Sequence, residues 1–113
     1  MEGKVLRVRE GVFGKFHVKL EDTGEYLASL GDIEQGEEIE SILDVVSTAR
    51  IHANASCSGC TKVATAHVGG NEYKLKIKYD TKLLGRIIKK VWVTSREGEQ
   101  VVINLRGFIK KKE

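Results

Sequence analysis

The sequence predicts a mainly β fold, a small antiparallel barrel or sandwich, on three observations. EYKLKIKYD, from residue 72, alternates strictly: Tyr73, Leu75, Ile77 and Tyr79 share one face, and Lys74, Lys76 and Lys78 the other. No helix sustains a period of two over that length. Shorter alternating runs recur along the chain, divided by turn signals at EDTG, GGN and SREGE. Proline is absent, so every turn must rest on Gly, Asn, Asp or Ser. Closing about eight short strands into a barrel or sandwich also deals with their exposed edges.

Taken in order, KVLRVRE (4–10) sets Leu6 and Val8 against Val5, Arg7 and Arg9. FHVKL (16–20) sets Phe16, Val18 and Leu20 against His17 and Lys19, and EYLASL follows EDTG as a short strand. These three runs read as antiparallel strands. Residues 37–48 divide the signals: Ile39, Ile42, Leu43 and Val46 have helical spacing, while the run of Ile and Val favours a strand. A short helix at 37–48 and another at 82–91 are both open, which leaves α+β as the alternative class. In the second, Leu83, Leu84, Ile87, Ile88 and Val91 make a helical stripe that Gly85 weakens by about 1 kcal/mol. ARIHANA and TKVATAHV alternate on either side of CSGC, as a hairpin would. VWVT and QVVINLRGFI flank SREGE as a terminal hairpin. The expected core comprises Leu6, Val8, Phe16, Val18, Leu20, Ile39, Leu75, Ile77, Trp92, Val93 and Ile103.

At 113 residues the chain is expected to form one domain, 1–113, large enough for a core without staples. No apolar run is long enough to span a membrane, and MEGKVLRV has no hydrophobic signal segment, so a soluble protein without membrane contact is expected. Two cysteines are too few for a disulfide framework and point to a reducing cytoplasm.

Chemistry concentrates in HANASCSGCTKVATAH, residues 52–67, which holds both cysteines and two of the three histidines. Cys57 and Cys60 have the Cys-x-x-Cys spacing of two zinc thiolates, with Ser58-Gly59 as a flexible bridge. In a regular hairpin His52 and His67 would be diagonal neighbours, a candidate pocket pair. Each would still lie more than roughly 12 Å from the sulfurs, too far to share one zinc. A zinc held by four thiolates across a homodimer is the geometrically sounder metal site. A thiol-redox pair is another alternative, although no helix follows to lower a thiol pKa. The third is an ordinary turn, with no cofactor at all.

Charge is divided unevenly. Residues 1–56 carry 6 Lys/Arg and 11 Asp/Glu, and residues 57–113 carry 13 and 5. The basic half, through Lys74, Lys76, Lys78, Lys89 and Lys90, could draw a nucleic acid or an acidic protein by its phosphates or carboxylates. Base stacking would need aromatic groups on the same surface, and Tyr73 and Tyr79 lie opposite the lysines. No phosphate loop, nucleophile elbow or His-Glu-x-x-His pair occurs, so whether the chain is an enzyme stays open. The reading is a binding or interaction module, with a zinc-binding structural protein or a small thiol-redox protein as alternatives.

Overall fold

The computed structural model describes residues 4–56 and 61–112 and contains strands but no helix. Two sheets face each other as an open sandwich, not a closed barrel. The first has the order β1 (Leu6–Val8), β5 (Ile39–Ser47), β8 (Glu72–Tyr79), β7 (Thr61–Gly69). The second has the order β2 (Gly11–Phe13), β3 (Phe16–Leu20), β4 (Tyr26–Glu34), β10 (Gln100–Lys110), β9 (Gly85–Ser95), β6 (Ile51–Ala55). Buried side chains of both sheets form one cluster, including Val8, Leu43, Leu75 and Ile77 from the first and Phe16, Ile87, Val93, Ile103 and Leu105 from the second.

The strict alternation of β8 is realised: Leu75 and Ile77 are buried and the three lysines are exposed. The terminal hairpin also forms, with Gln100 opposite Thr94 and Ile109 opposite Gly85. Both ambiguous segments are strands, from Ile39 in the first and from Gly85 in the second. Over 39–47 the buried residues are Ile39, Ser41, Leu43, Val45 and Ser47. Two serines on the inner face hide the period of two from a hydrophobicity count, while Ile42, part of the helical stripe, is 50% exposed. Over 82–91 the stripe dissolves: Leu83 is 81% exposed and Ile88 58%, and the inner face is Ile87, Val91 and Val93.

Three expectations about pairing are corrected. β1 pairs with β5 in the first sheet, not with its sequence neighbours, and GVF is itself a strand, paired with β3. β4 and β10 run parallel, with Tyr26 opposite Ile103, so the fold is not wholly antiparallel. Residues 51–55 and 61–69 form no hairpin: β6 pairs with β9 and β7 with β8, so CSGC connects the two sheets. Among the expected core residues, Leu20, the last residue of β3, is 48% exposed, and Trp92 is half-buried on the outer parity of β9.

Two details tie the sheets together. The hydroxyl of buried Tyr26 on β4 accepts a hydrogen bond of 3.2 Å from the amide of Val8 on β1. The β2–β3 turn comes down on β5: a Cβ at Gly14 (φ 64°) would lie 2.7 Å from Ser41 Oγ. One extra residue in β4, near Leu30 and Gly31, lets both Leu30 and Ile33 face inward.

Leu105→Ala should cost about 2–5 kcal/mol in chemical denaturation, whereas Leu20→Ala should cost no more than about 0.5 kcal/mol. Equal losses would show that the core is misassigned. Gly14→Ala should be more damaging than Gly24→Ala, because Gly24 (φ 87°) has nothing within 4 Å of an added Cβ. Each left-handed alanine costs about 1–2 kcal/mol. The excess at Gly14 should vanish in a Ser41→Ala background, which removes the overlapping oxygen.

Candidate functional site

The lysine row of β8 lies directly across from acids of β5. Asp44 stands opposite Lys74 and Glu40 opposite Lys78, with Ile42 between them opposite Lys76. Lys74 forms an ion pair with Asp44, and Glu40 reaches both Lys76 and Lys78 at 3.4 Å. Arg9 from the loop after β1 pairs with Glu72 at 3.0 Å. Exposed pairs such as these stabilise by about 1 kcal/mol or less each. Their larger effect is to neutralise most of the positive field that the sequence assigns to Lys74, Lys76 and Lys78.

At the end of this sheet a hollow of about 420 Å³ is lined by Lys62, Lys78 and Lys82 together with Glu38, Glu40 and Asp80. Mixed charge suits no ligand of one sign. Half-buried Tyr79 lies in its wall, and burial, with the nearby Asp80 carboxylate, raises its phenol above the usual value.

Lys89 and Lys90 belong to the other sheet, and adjacent positions on β9 face opposite ways. Lys89 is half-buried on the inner parity; Lys90 is exposed on the outer. The β9–β10 register then builds a surface that no sequence window displays. Arg86 is opposite Phe108, Ile88 opposite Arg106, Lys90 opposite Asn104 and Trp92 opposite Val102, all on the outer face. Phe108 is 44% exposed. The Arg106 guanidinium donates to the carbonyls of Leu105 and Lys89, at 3.0 and 3.5 Å, so backbone and not carboxylate holds it. Arg86, Lys90 and Arg106 form no ion pair among the described residues. Asp32 and Glu34 stand one strand away on β4, opposite Phe108 and Lys110.

The sequence offers Phe108 as an aromatic but cannot place it, or nearby Arg106, beside Arg86, because Arg86 lies on the preceding strand. The available signal was the SREGE turn: setting Thr94 opposite Gln100 also sets Arg86 opposite Phe108.

The two histidines are separated. His52 is exposed on β6, opposite Thr94, while His67 lies near the β7–β8 turn. There its Nε2 is 2.8 Å from the Gly70 carbonyl oxygen and its ring centroid 4.7 Å from that of Tyr73. They are not diagonal neighbours. Cys57 and Cys60 lie outside the described residues. Among the described residues, no three His, Cys, Asp or Glu side chains gather as a metal-holding group.

Loss of solvent contact would raise the Glu40 carboxyl, but hydrogen bonds from Lys78 and Lys76, and their charges, leave it below the ordinary 4.5. A depressed carboxyl stabilises the fold above its unfolded pKa, and that contribution is lost as pH falls through the folded value. The Glu40 carboxyl resonance should therefore titrate with a midpoint below 4.5 and move upward in Lys76→Met/Lys78→Met. An unmoved midpoint would show that the lysines do not set it.

No known family and no curated protein matches the chain. Solved structures do. A Bacteroides ovatus GH5 xyloglucanase in complex with a XXXG heptasaccharide is similar over 70% of this chain, with TM-score 0.52 and 16% identity. The chain spans only 17% of that enzyme's length. The BIgI domain of the beta protein from S. agalactiae, bound to CEACAM1, is similar over 75% of this chain and 94% of its own, with TM-score 0.52 and 15% identity. At such identities the likeness is one of fold alone, and that fold carries no function by itself.

Proposed function

We propose that the chain is a non-enzymatic sandwich module that holds a polyanion, such as a nucleic-acid backbone, on the outer face of its six-stranded sheet. One observation carries this reading. Arg86, Lys90 and Arg106 lack carboxylate partners among the described residues and surround exposed Ile88 and Phe108. Cations beside exposed apolar side chains suit phosphates flanked by sugars and bases. The β8 lysines, each with an acid at hand, contribute less. Trp92, half-buried on the same face, offers an indole edge, but hydrogen-bonded readout of base identity is not part of this role.

Three phosphate contacts predict weak, salt-sensitive binding. The slope of log K against log salt would be about −2.7 for duplex DNA and about −2.1 for a single strand. For duplex DNA this is about a 40-fold loss between 50 and 200 mM salt. Titration of labelled duplex and single-stranded oligonucleotides should show these slopes. Arg86→Glu/Lys90→Glu should abolish most of the binding, and Lys74→Gln/Lys76→Gln/Lys78→Gln should leave most of it. Absence of binding at 50 mM salt would refute the proposal, and the reverse pattern of the two variants would move the site to the β8 ridge.

A further inference from the structure

The β9–β10 register puts two aromatic side chains on the same face as the three cations. Phe108 stands opposite Arg86 at one end, and Trp92 opposite Val102 at the other. Between them come Ile88 opposite Arg106 and Lys90 opposite Asn104. Same-face neighbours along an antiparallel strand are about 6.8 Å apart, so these rows extend for about 20 Å. Phe108 is 44% exposed and Ile88 58%, so apolar surface alternates with charge along the way. Acids keep to one side. β6, β9 and β10 contain no Asp or Glu, whereas Asp32 and Glu34 lie on β4, beyond β10.

On the strength of the polyanion reading above, we infer that the ligand is a single-stranded nucleic acid laid along β9 and β10. Its phosphates meet Arg86, Arg106 and Lys90, one base stacks on Phe108, and the strand passes Ile88 to end beside the indole edge of Trp92. A single strand exposes the faces of its bases, and a surface that combines cations with aromatic rings holds it without regard to sequence. A duplex hides those faces. It is read through a major groove about 12 Å wide, which admits a helix or a two-stranded ribbon. The described residues form no helix, and β9 and β10 lie inside a sheet, with β6 and β4 at their sides, so no ribbon projects. Duplex DNA would meet this face through its phosphates alone, as inorganic polyphosphate would. The stacked base on Phe108 is what sets the single strand apart from both.

The chain has a single tryptophan, so its fluorescence reports on this face directly. The full chain is titrated with three probes at low salt: a single strand of about 12 nucleotides, a duplex of the same length, and inorganic polyphosphate. The single strand should bind most tightly and change the Trp92 emission. Phe108→Leu keeps an apolar side chain but removes the ring. It should weaken single-strand binding at least about fivefold and leave the other two probes within about twofold. Its salt slope should be that of the wild type, because no phosphate contact is lost. Phe108→Tyr retains the ring and should bind the single strand as the wild type does. Circular dichroism of both variants verifies the fold. A duplex or polyphosphate bound as tightly as the single strand would overturn the inference and leave the polyanion reading standing. So would a folded Phe108→Leu variant that binds the single strand unchanged, or that weakens all three probes equally. Failure of every probe to bind would bring down both.

Discussion

The rest of the structure depends on the placement of β10. It is hydrogen-bonded along both edges, parallel to β4 and antiparallel to β9, and its inner face carries Ile103, Leu105 and Ile109, all buried. A strand satisfied on both sides leaves few backbone polar groups stranded in the core. That allows apolar burial, at roughly 25 cal/mol per Å², to stabilise the fold without a hydrogen-bonding penalty. On the outer side, Asn104 donates to Glu25 Oε1 at 2.9 Å and to the Tyr26 carbonyl at 3.3 Å, which fixes the start of the β4–β10 ladder. Tyr26 in turn reaches across to β1. The second sheet is thereby held to the first by a polar link as well as by the shared core.

The same interleaving explains what becomes of the charge division along the sequence. Acidic and basic halves each contribute strands to both sheets. Where β5 meets β8 the opposite charges are consumed as cross-strand pairs. β9 is flanked instead by β10 and, beyond Val91, by β6, neither rich in acids, and its cations form no ion pair among the described residues. The formal imbalance in sequence is thus spent unevenly: among the described residues, carboxylates take up the β8 lysines and not the cations of β9. Position in the sheet, more than residue count, decides which lysines matter.

What could be read from the sequence follows from how each strand is buried. β8 was legible because its two faces differ in every residue, aromatic or aliphatic against lysine. β5 was not, since Ser41 and Ser47 occupy inner positions where a hydrophobic residue would have marked the period, and exposed Ile42 counterfeits a helical one. β9 and the residues just before it misled for a related reason: Leu83, Leu84 and Ile88 are apolar yet outside. The hairpin proposed around CSGC failed on topology, because local alternation says nothing about which sheet a strand joins. The outer face of β9 and β10 was hidden in the same way. Each residue was visible, but their adjacency exists only once the register is known.

The parallel pairing of β4 with β10 also bears on how the protein is made. Tyr26 leaves the ribosome well before its partner Ile103. Until then β4 has β3 on one side and nothing on the other, and the central layer of the six-stranded sheet is missing. Contacts so distant in sequence are slow to form, and unpaired strands are sticky while they wait. Between the synthesis of β4 and that of β10 the nascent chain therefore carries an open edge at β4, exposed to capture by other chains, and the arrival of β10 closes that window.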